Sequence, residues 1–399
     1  MARSRRVKPA KSKRRKSARA RSAPPLRFAH PFYDTVAPEQ RGKIGTFGHR
    51  MLEHIQGTLN PIPPVRGSSM MALADVIGQS GSDAIAATGQ IIIHVAGDTG
   101  VPETDHETKQ VIVADAMSKD FAPAHPETSP AFLLHVGDVI YGPAPNSYLD
   151  QFYRPNMHYP GKIIAIPGNH DGESAVKIKD FQTYFCAQSQ VVPPIAGSIF
   201  RETMTLPGVY WCLDAPFIQI IGLYSNSAEN PGFISGPTIG QAQKLWLVAT
   251  LTALKAARAK GPRKALVFIS HHPPFSSGGH SGSAEMLADI DDACTKAGIM
   301  PDAYFSGHAH SIQRYTRTVQ FGGKSVQIPY VVSGCGGHGG QAVAPVAANR
   351  GGNPVYEFSY QGWGYTTLTV TGTSMTISSH GVDTGTNKVI DTVRVGLGS

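Results

Sequence analysis

The sequence predicts an α/β protein whose sheet contains parallel strand pairs. Short β-branched apolar runs alternate with helix-compatible stretches. Each run stops at a loop rich in Gly, Asp, Asn or His. Parallel strands joined by crossover helices open their loops at the carboxyl ends of the strands, so these polar loops are expected along one edge. No apolar run approaches the ~20 residues needed to span a bilayer, so no transmembrane segment is expected.

The elements follow in order. Residues 28–88 read as a lead-in, broken by Pro61-Ile62-Pro63-Pro64, with a short helix over Met70–Ile77. His30, His49 and His54 in it read as surface or packing residues. The first strand, Ile91–Val95, ends at Gly97-Asp98-Thr99-Gly100, and a helix-compatible stretch covers His106–Asp120. The second strand, 131–136, runs into Gly137-Asp138-Val139-Ile140-Tyr141. A short helix at Ser147–Tyr153 precedes the third strand, Lys162–Ile166, which ends at Pro167-Gly168-Asn169-His170-Asp171. Ser174–Phe185 reads as a helix, and Phe217–Leu223 as a strand ending at Tyr224-Ser225-Asn226.

Gln241–Ala257 is amphipathic, with Leu245, Trp246, Leu247, Leu251 and Leu254 on a broad face that packs as core. The next strand, Ala265–Ile269, meets Ser270-His271-His272-Pro273-Pro274-Phe275, with His280 nine residues past His271. Ala303–Phe305 ends at Ser306-Gly307-His308-Ala309-His310. Pro329–Val332 leads into the Gly-rich Ser333–Gly340. The C-terminal part reads as hairpins of Tyr365–Val370, Ser374–Ser379 and Lys388–Val395. No internal repeat is found.

A chain of 399 residues with 41% hydrophobic content is that of a globular protein, long enough for one large domain plus extras or for two domains. Residues 1–27 carry twelve Lys and Arg and no acid, so the chain's net +8 leaves residues 28–399 at −4. Such a tail cannot bury a core and is expected to be disordered. It reads either as a solvated extension or as a non-specific contact with nucleic acid or an anionic membrane. Arg5-Arg6 is not followed by the ~7–15 apolar residues of a signal peptide, so the expected compartment is the cytoplasm. Cys186, Cys212, Cys294 and Cys335 lack C-x-x-C spacing, which excludes a zinc ribbon and a dense disulfide scaffold; they read as free thiols.

The chemistry lies in five strand ends: Asp98; Asp138 with Tyr141; Asn169 with His170; His271; and His308 with His310. A carboxylate just past a strand end has a rigid base and an open front, and the two oxygens of Asp138 can bridge two cations. Two histidines at i and i+2 in a loop can face one ion each. Carboxylates, an amide oxygen, a phenol and imidazoles suit hard-to-borderline cations. With Asp138 shared, the donors divide into two sets of about four, leaving positions open for water and substrate, as a catalytic site requires.

Gly-Asp-x-Gly at 97–100, Gly-Asp-x-x-Tyr at 137–141, Gly-Asn-His-Asp at 168–171, Ser-His-His-Pro at 270–273 and Gly-His-x-His at 307–310 together resemble the calcineurin-like metallophosphoesterases. Within them the chain most resembles the small purple acid phosphatases, because Gly100 stands where most of the superfamily has histidine and Tyr141 is present. The resemblance covers roughly residues 89–370. It implies a four-layer α/β/β/α sandwich of two mixed β-sheets, with 89–399 as the catalytic domain. It also implies one ion, ferric in the family, on Asp98, Tyr141, His310 and shared Asp138. A second ion (Fe2+, Zn2+ or Mn2+) would sit on Asn169, His271, His308 and Asp138. His170 and His280 match the family's outer-sphere histidines, which contact phosphate and protonate the leaving group, and Asp171 can hold the His170 ring.

The function so implied is hydrolysis of small phosphomonoesters by attack of a metal-bound hydroxide. A phosphodiesterase acting on cyclic nucleotides or phospholipid head groups is the alternative enzyme, and a non-catalytic protein anchored to nucleic acid by its tail is the alternative of another class. His94, His125, His135, His158 and His380 read as structural, and His272 as shaping its loop. His338 is grouped with them, although its Gly-rich loop can approach the site. No N-terminal fibronectin-like domain is visible, and residues 1–88 and 336–354 have no counterpart in the family pattern.

Overall fold

A computed structural model describes residues 54–398 except 102–103, 123, 143, 174–177, 347–351 and 385. The basic tail, His30 and His49 lie outside the described residues. Fourteen strands are described: β1 (Met70–Ala72), β2 (Gln90–Ala96), β3 (Phe132–His135), β4 (Lys162–Ala165), β5 (Trp211–Ala215), β6 (Ile218–Leu223), β7 (Ala265–Ser270), β8 (Ala303–Ser306), β9 (Ile312–Phe321), β10 (Lys324–Ser333), β11 (Val355–Tyr360), β12 (Trp363–Thr371), β13 (Ser374–Asp383) and β14 (Thr386–Gly396). They form an eight-stranded sheet ordered β1-β5-β6-β7-β8-β10-β9-β11 and a six-stranded sheet ordered β14-β13-β12-β2-β3-β4. Both are mixed. β2, β3 and β4 run parallel in one, and β6, β7, β8 and β10 run parallel in the other.

The layers follow from strand periodicity. On β7, Ala265, Val267 and Ile269 enter the core between the sheets, while Leu266 and Phe268 face the opposite side. Ile218 and Ile220 against Ile221 and Leu223 divide in the same way on β6. Helices α1 (Leu73–Ile77), α2 (Gln79–Thr88), α3 (Thr104–Ser118) and α4 (Lys179–Phe185) precede α5 (Ala242–Arg258) and α6 (Ala284–Ala297), and these last two cover the outward set through Leu247, Leu251, Leu254, Met286 and Ile290. A helix over Thr104–Ser118 packs across β12 and β13 on the far side of the other sheet. This is the four-layer α/β/β/α sandwich. No helix among the described residues is long and apolar enough to cross a membrane. All four cysteines are buried and unpaired.

Several expectations change. Leu245 does not join the core face of α5; it is 67% exposed. The expected lead-in is not peripheral throughout, since β1 pairs in parallel with β5 and Leu73 and Val76 enter the main core. Strands β5, β9 and β11 and helix α6 were not expected. The helix expected at Ser174–Phe185 is described only over Lys179–Phe185.

His94 and His135 are buried and satisfied, as expected. His94 contacts Tyr159 Oη at 3.2 Å and Asp120 at 3.0 Å. His135 Nδ1 accepts from the Gly137 N–H at 3.2 Å, so its Nε2–H donates to Thr99 Oγ1 at 2.9 Å. Burial holds the His135 imidazole down to about 4, so it is neutral in the fold. A folded value below the unfolded ~6.5 gives stability that is complete above about pH 6.5 and lost as pH falls through about 4. In urea melts of the metal-free chain, His135→Asn should be destabilised by about 1–3 kcal/mol near neutrality. It should also show a shallower loss between those pH values. A slope matching wild type would contradict this account.

Candidate metal centre

The carboxyl ends of the two parallel strand sets meet at one place. The polar loops there adopt backbone conformations that side-chain-bearing residues seldom take: φ is +55° at Asp98, +53° at Asp138 and +69° at His308. The loops are tied together by their backbones. The Asp98 N–H donates to Gly137 O, Thr99 N–H to Asp138 O, Gly307 N–H to His271 O and His338 N–H to Asp98 O. Strain at these positions is held by that mutual bracing.

Two groups of donor atoms converge. In the first, Tyr141 Oη lies 3.1 Å from Asp98 Oδ1 and 3.1 Å from His310 Nε2, which are 3.4 Å apart. In the second, His271 Nε2 lies 3.0 Å from Asn169 Oδ1, 3.2 Å from Asp138 Oδ2 and 3.2 Å from His308 Nδ1. Ligands bonded at about 2.1 Å to one ion stand roughly 3.0 Å apart in an octahedron and 3.4 Å in a tetrahedron, which is the spacing seen here. Asp138, His271 and His308 together form a buried cluster able to hold a cation.

The buried Asp138 Oδ2 and His308 Nε2 have no hydrogen-bond partner. Orphaned polar atoms at full burial are costly unless a cation or substrate completes them. The ring tautomers also suit a metal. His271 Nδ1–H donates to Val136 O at 3.0 Å and His310 Nδ1–H to Gly339 O at 2.9 Å, which turns both Nε2 lone pairs inward. Burial, with the histidines around it, drives the His308 value well down and keeps it neutral, the form that binds cations. While no cation takes the Nε2 lone pair of His271, that ring is protonated: burial opposes this, but the Asp138 and Asp98 charges raise it to about 9, and its charge in turn outweighs burial to hold Asp138 well below the carboxylate range. Burial and then the Asp138 and Asp98 charges push the Tyr141 phenol well up, so a cation would have to displace its proton.

All ten residues singled out in the sequence lie in or beside this centre, but Asp171 does not hold the His170 ring. Asp171 turns inward and accepts from the Gly168, Val139 and Ile140 N–H groups at 2.8, 3.2 and 3.3 Å, bracing the Asp138 loop. His170–Gly172 is a turn of 3-10 helix, in which side chains three apart eclipse. Glu173 therefore holds His170 Nδ1, at 2.8 Å. Burial pulls His170 down, but the Asp138 charge and the Glu173 hydrogen bond raise it overall. His280 lies against His308, with ring centroids 4.0 Å apart and planes tilted by 32°, and contacts the amides of Asn230 and Gln341 at 3.0 and 2.9 Å.

One neighbour was grouped with the structural histidines although its loop was expected to be able to approach the site. His338 lies flat on Tyr141, with centroids 3.7 Å apart and planes at 7°, and donates Nδ1–H to Gly100 O. It is not merely structural background; its loop forms a wall of the centre. The signal was present, because Ser333–Gly340 follows the parallel strand β10 and so opens on the same edge. His272 contacts Ser225 Oγ and donates to Ala228 O, shaping its loop as expected.

A family model described as calcineurin-like phosphoesterase matches residues 91–311, more than half of the chain. No curated protein matches it. Among solved structures, the chain is similar to GAP50, the anchor in the inner membrane complex of Plasmodium. The TM-score is 0.54 at 12% identity, over 78% of this chain and 90% of that one. It is also similar to a purple acid phosphatase from yellow lupin (Lupinus luteus) seeds, with TM-score 0.50 at 15% identity, over 77% of this chain and 54% of that one. At these identities the likeness to solved structures is one of fold.

Proposed function

The chain belongs to the calcineurin-like phosphoesterases, hydrolases of phosphoric ester bonds, and on that premise we propose that it hydrolyses phosphomonoesters at a dinuclear centre of the purple acid phosphatase type. The observation that carries this reading is the pair of donor sets at ion-edge spacing, with the unpartnered Oδ2 of Asp138 beside them. We assign Asp98, Tyr141, His310 and Asp138 to one ion, and Asn169, His271, His308 and Asp138 to the other. Bound there, the cations supply Lewis acidity toward phosphoryl oxygens and lower the pKa of water.

The remaining chemistry belongs to side chains. Asn169 and the outer histidines orient the phosphate, with donors aimed where negative charge develops. His170 or His280 gives a proton to the leaving oxygen, a contribution of about 10²–10⁴ in rate. Asp171 is a positioning residue that holds the Asp138 loop. Tyr141 favours Fe3+ in the first position, with Fe2+, Zn2+ or Mn2+ in the second; a charge-transfer colour would accompany the ferric form. The substrate is a small phosphate ester, and the described part of the lead-in joins the domain through β1.

Dialysis against a chelator should lower hydrolysis of p-nitrophenyl phosphate by about a hundredfold or more, with recovery on adding metal back. The untreated chain should hydrolyse this monoester faster than bis(p-nitrophenyl) phosphate. A preference for the bis ester would move the assignment to a phosphodiesterase. Salt-sensitive nucleic-acid binding through residues 1–27, with neither ester hydrolysed, would favour the binding-protein reading instead.

A further inference from the structure

Glu229 stands at the mouth of the centre. Its neighbours are anchored: Ala228 O accepts from His272 Nε2–H at 2.8 Å, and Asn230 Oδ1 accepts from both the N–H and the Oγ–H of Ser281 at 3.2 Å. Ala228 and Asn230 are 8% and 4% exposed, whereas the Glu229 side chain is 62% exposed. A buried–exposed–buried run on a pinned loop presents this one carboxylate outward. Glu229 Oε1 lies 3.4 Å from His280 Nδ1 and Oε2 lies 3.5 Å from Asn169 Nδ2. Glu173, likewise exposed, holds His170. Among the described residues, neither carboxylate has a lysine or arginine within ion-pair distance.

An entrance carrying two glutamates that, among the described residues, ion-pair only with His170 and His280 is unusual for a site taking dianionic phosphate, and their charge must act on whatever the phosphate carries outward. The proposed cation positions beside the orphaned Asp138 Oδ2 mark where the phosphate end is directed. The organic part then leaves past His170 and His280, beside the two glutamates. We propose that Glu229 is a specificity-determining residue that selects phosphate esters of amino alcohols, whose ammonium group it meets at the mouth, over esters of uncharged alcohols. This rests on the phosphoesterase reading and adds the substrate class to it. The carboxylate repels the phosphate of every ester equally, whereas only a cationic substituent recovers that loss, so discrimination follows from charge alone.

The test compares choline phosphate with its uncharged isostere, in which a tert-butyl group replaces the trimethylammonium, and uses p-nitrophenyl phosphate as reference. For a charge pair this exposed, wild-type kcat/KM should favour choline phosphate by about fivefold at low salt, shrinking as salt is added. The ratio should fall to about one in Glu229→Gln and below one in Glu229→Lys. Glu229 is exposed, so both variants should fold. A wild-type ratio of one, or a ratio unchanged in both variants, overturns the proposal while p-nitrophenyl phosphate is still hydrolysed. Loss of hydrolysis of all three esters in the metal-loaded wild type would instead overturn the phosphoesterase reading, and this proposal with it.

Discussion

Asp138→Asn is expected to lose turnover and metal loading together, with kcat reduced by about a thousandfold or more. The substitution keeps the shape of the side chain and one oxygen acceptor but removes the charge. In the fold, Asp138 Oδ1 already accepts from the His170 N–H at 3.0 Å, and Oδ2 is buried without a hydrogen-bond partner beside His271. An amide that keeps the first contact would turn its NH2 toward His271 Nε2 and Asn169, where a cation is proposed. Metal content and activity measured on the same preparation check this, with circular dichroism to verify the fold. Wild-type turnover in the variant would place the chemistry elsewhere.

Gly168→Ala is expected to damage the centre almost as severely without touching a donor atom. A Cβ at position 168 would fall 2.0 Å from Asp138 Oδ1 and 2.4 Å from Asp138 N. Those atoms belong to the backbone and the proposed bridging carboxylate, so the conflict cannot be relieved by a flexible side-chain tip. Either the end of β4 shifts or Asp138 does, and Asn169 and His170 follow directly in the chain. Turnover should fall by about a hundredfold or more, and stability by about 1–3 kcal/mol. Gly340→Ala is the control: nothing lies within 4 Å of its added Cβ, and activity should stay near wild type. Full activity in Gly168→Ala would mean that the Asp138 carboxylate need not sit where the fold holds it.

Much of this centre was legible because its donors stand at strand ends. An apolar run states where a strand stops, and the polar residue that follows is fixed in space by the sheet. Asp98, Asp138, Asn169, His271, His308 and His310 were all found that way. Asp171 was misread because adjacency in sequence is not adjacency around a 3-10 turn; the side chain three residues on, Glu173, is the one that returns to His170. Gln341, Asn230 and Glu229 come from loops whose placement depends on tertiary packing, and sequence pattern does not report it.

The missed elements have physical reasons too. β9 and β11 have half-exposed faces carrying Arg314, Thr316, Glu357 and Ser359, which dilute the apolar alternation. The apolar face of α6 relies partly on Ala293, Cys294 and Ala297, small residues with a weak signal. Leu245 was read as core because it sits in a leucine-rich run, yet it faces solvent. Residue type alone does not settle which side of a helix is covered.

The account depends on two cations held by one chain, and elemental analysis of the purified wild-type protein measures that most directly. About two equivalents of metal per chain are expected, falling sharply in Asp138→Asn on the same preparation. A fully active protein carrying no metal, or one whose metal content is unchanged by Asp138→Asn, would contradict it.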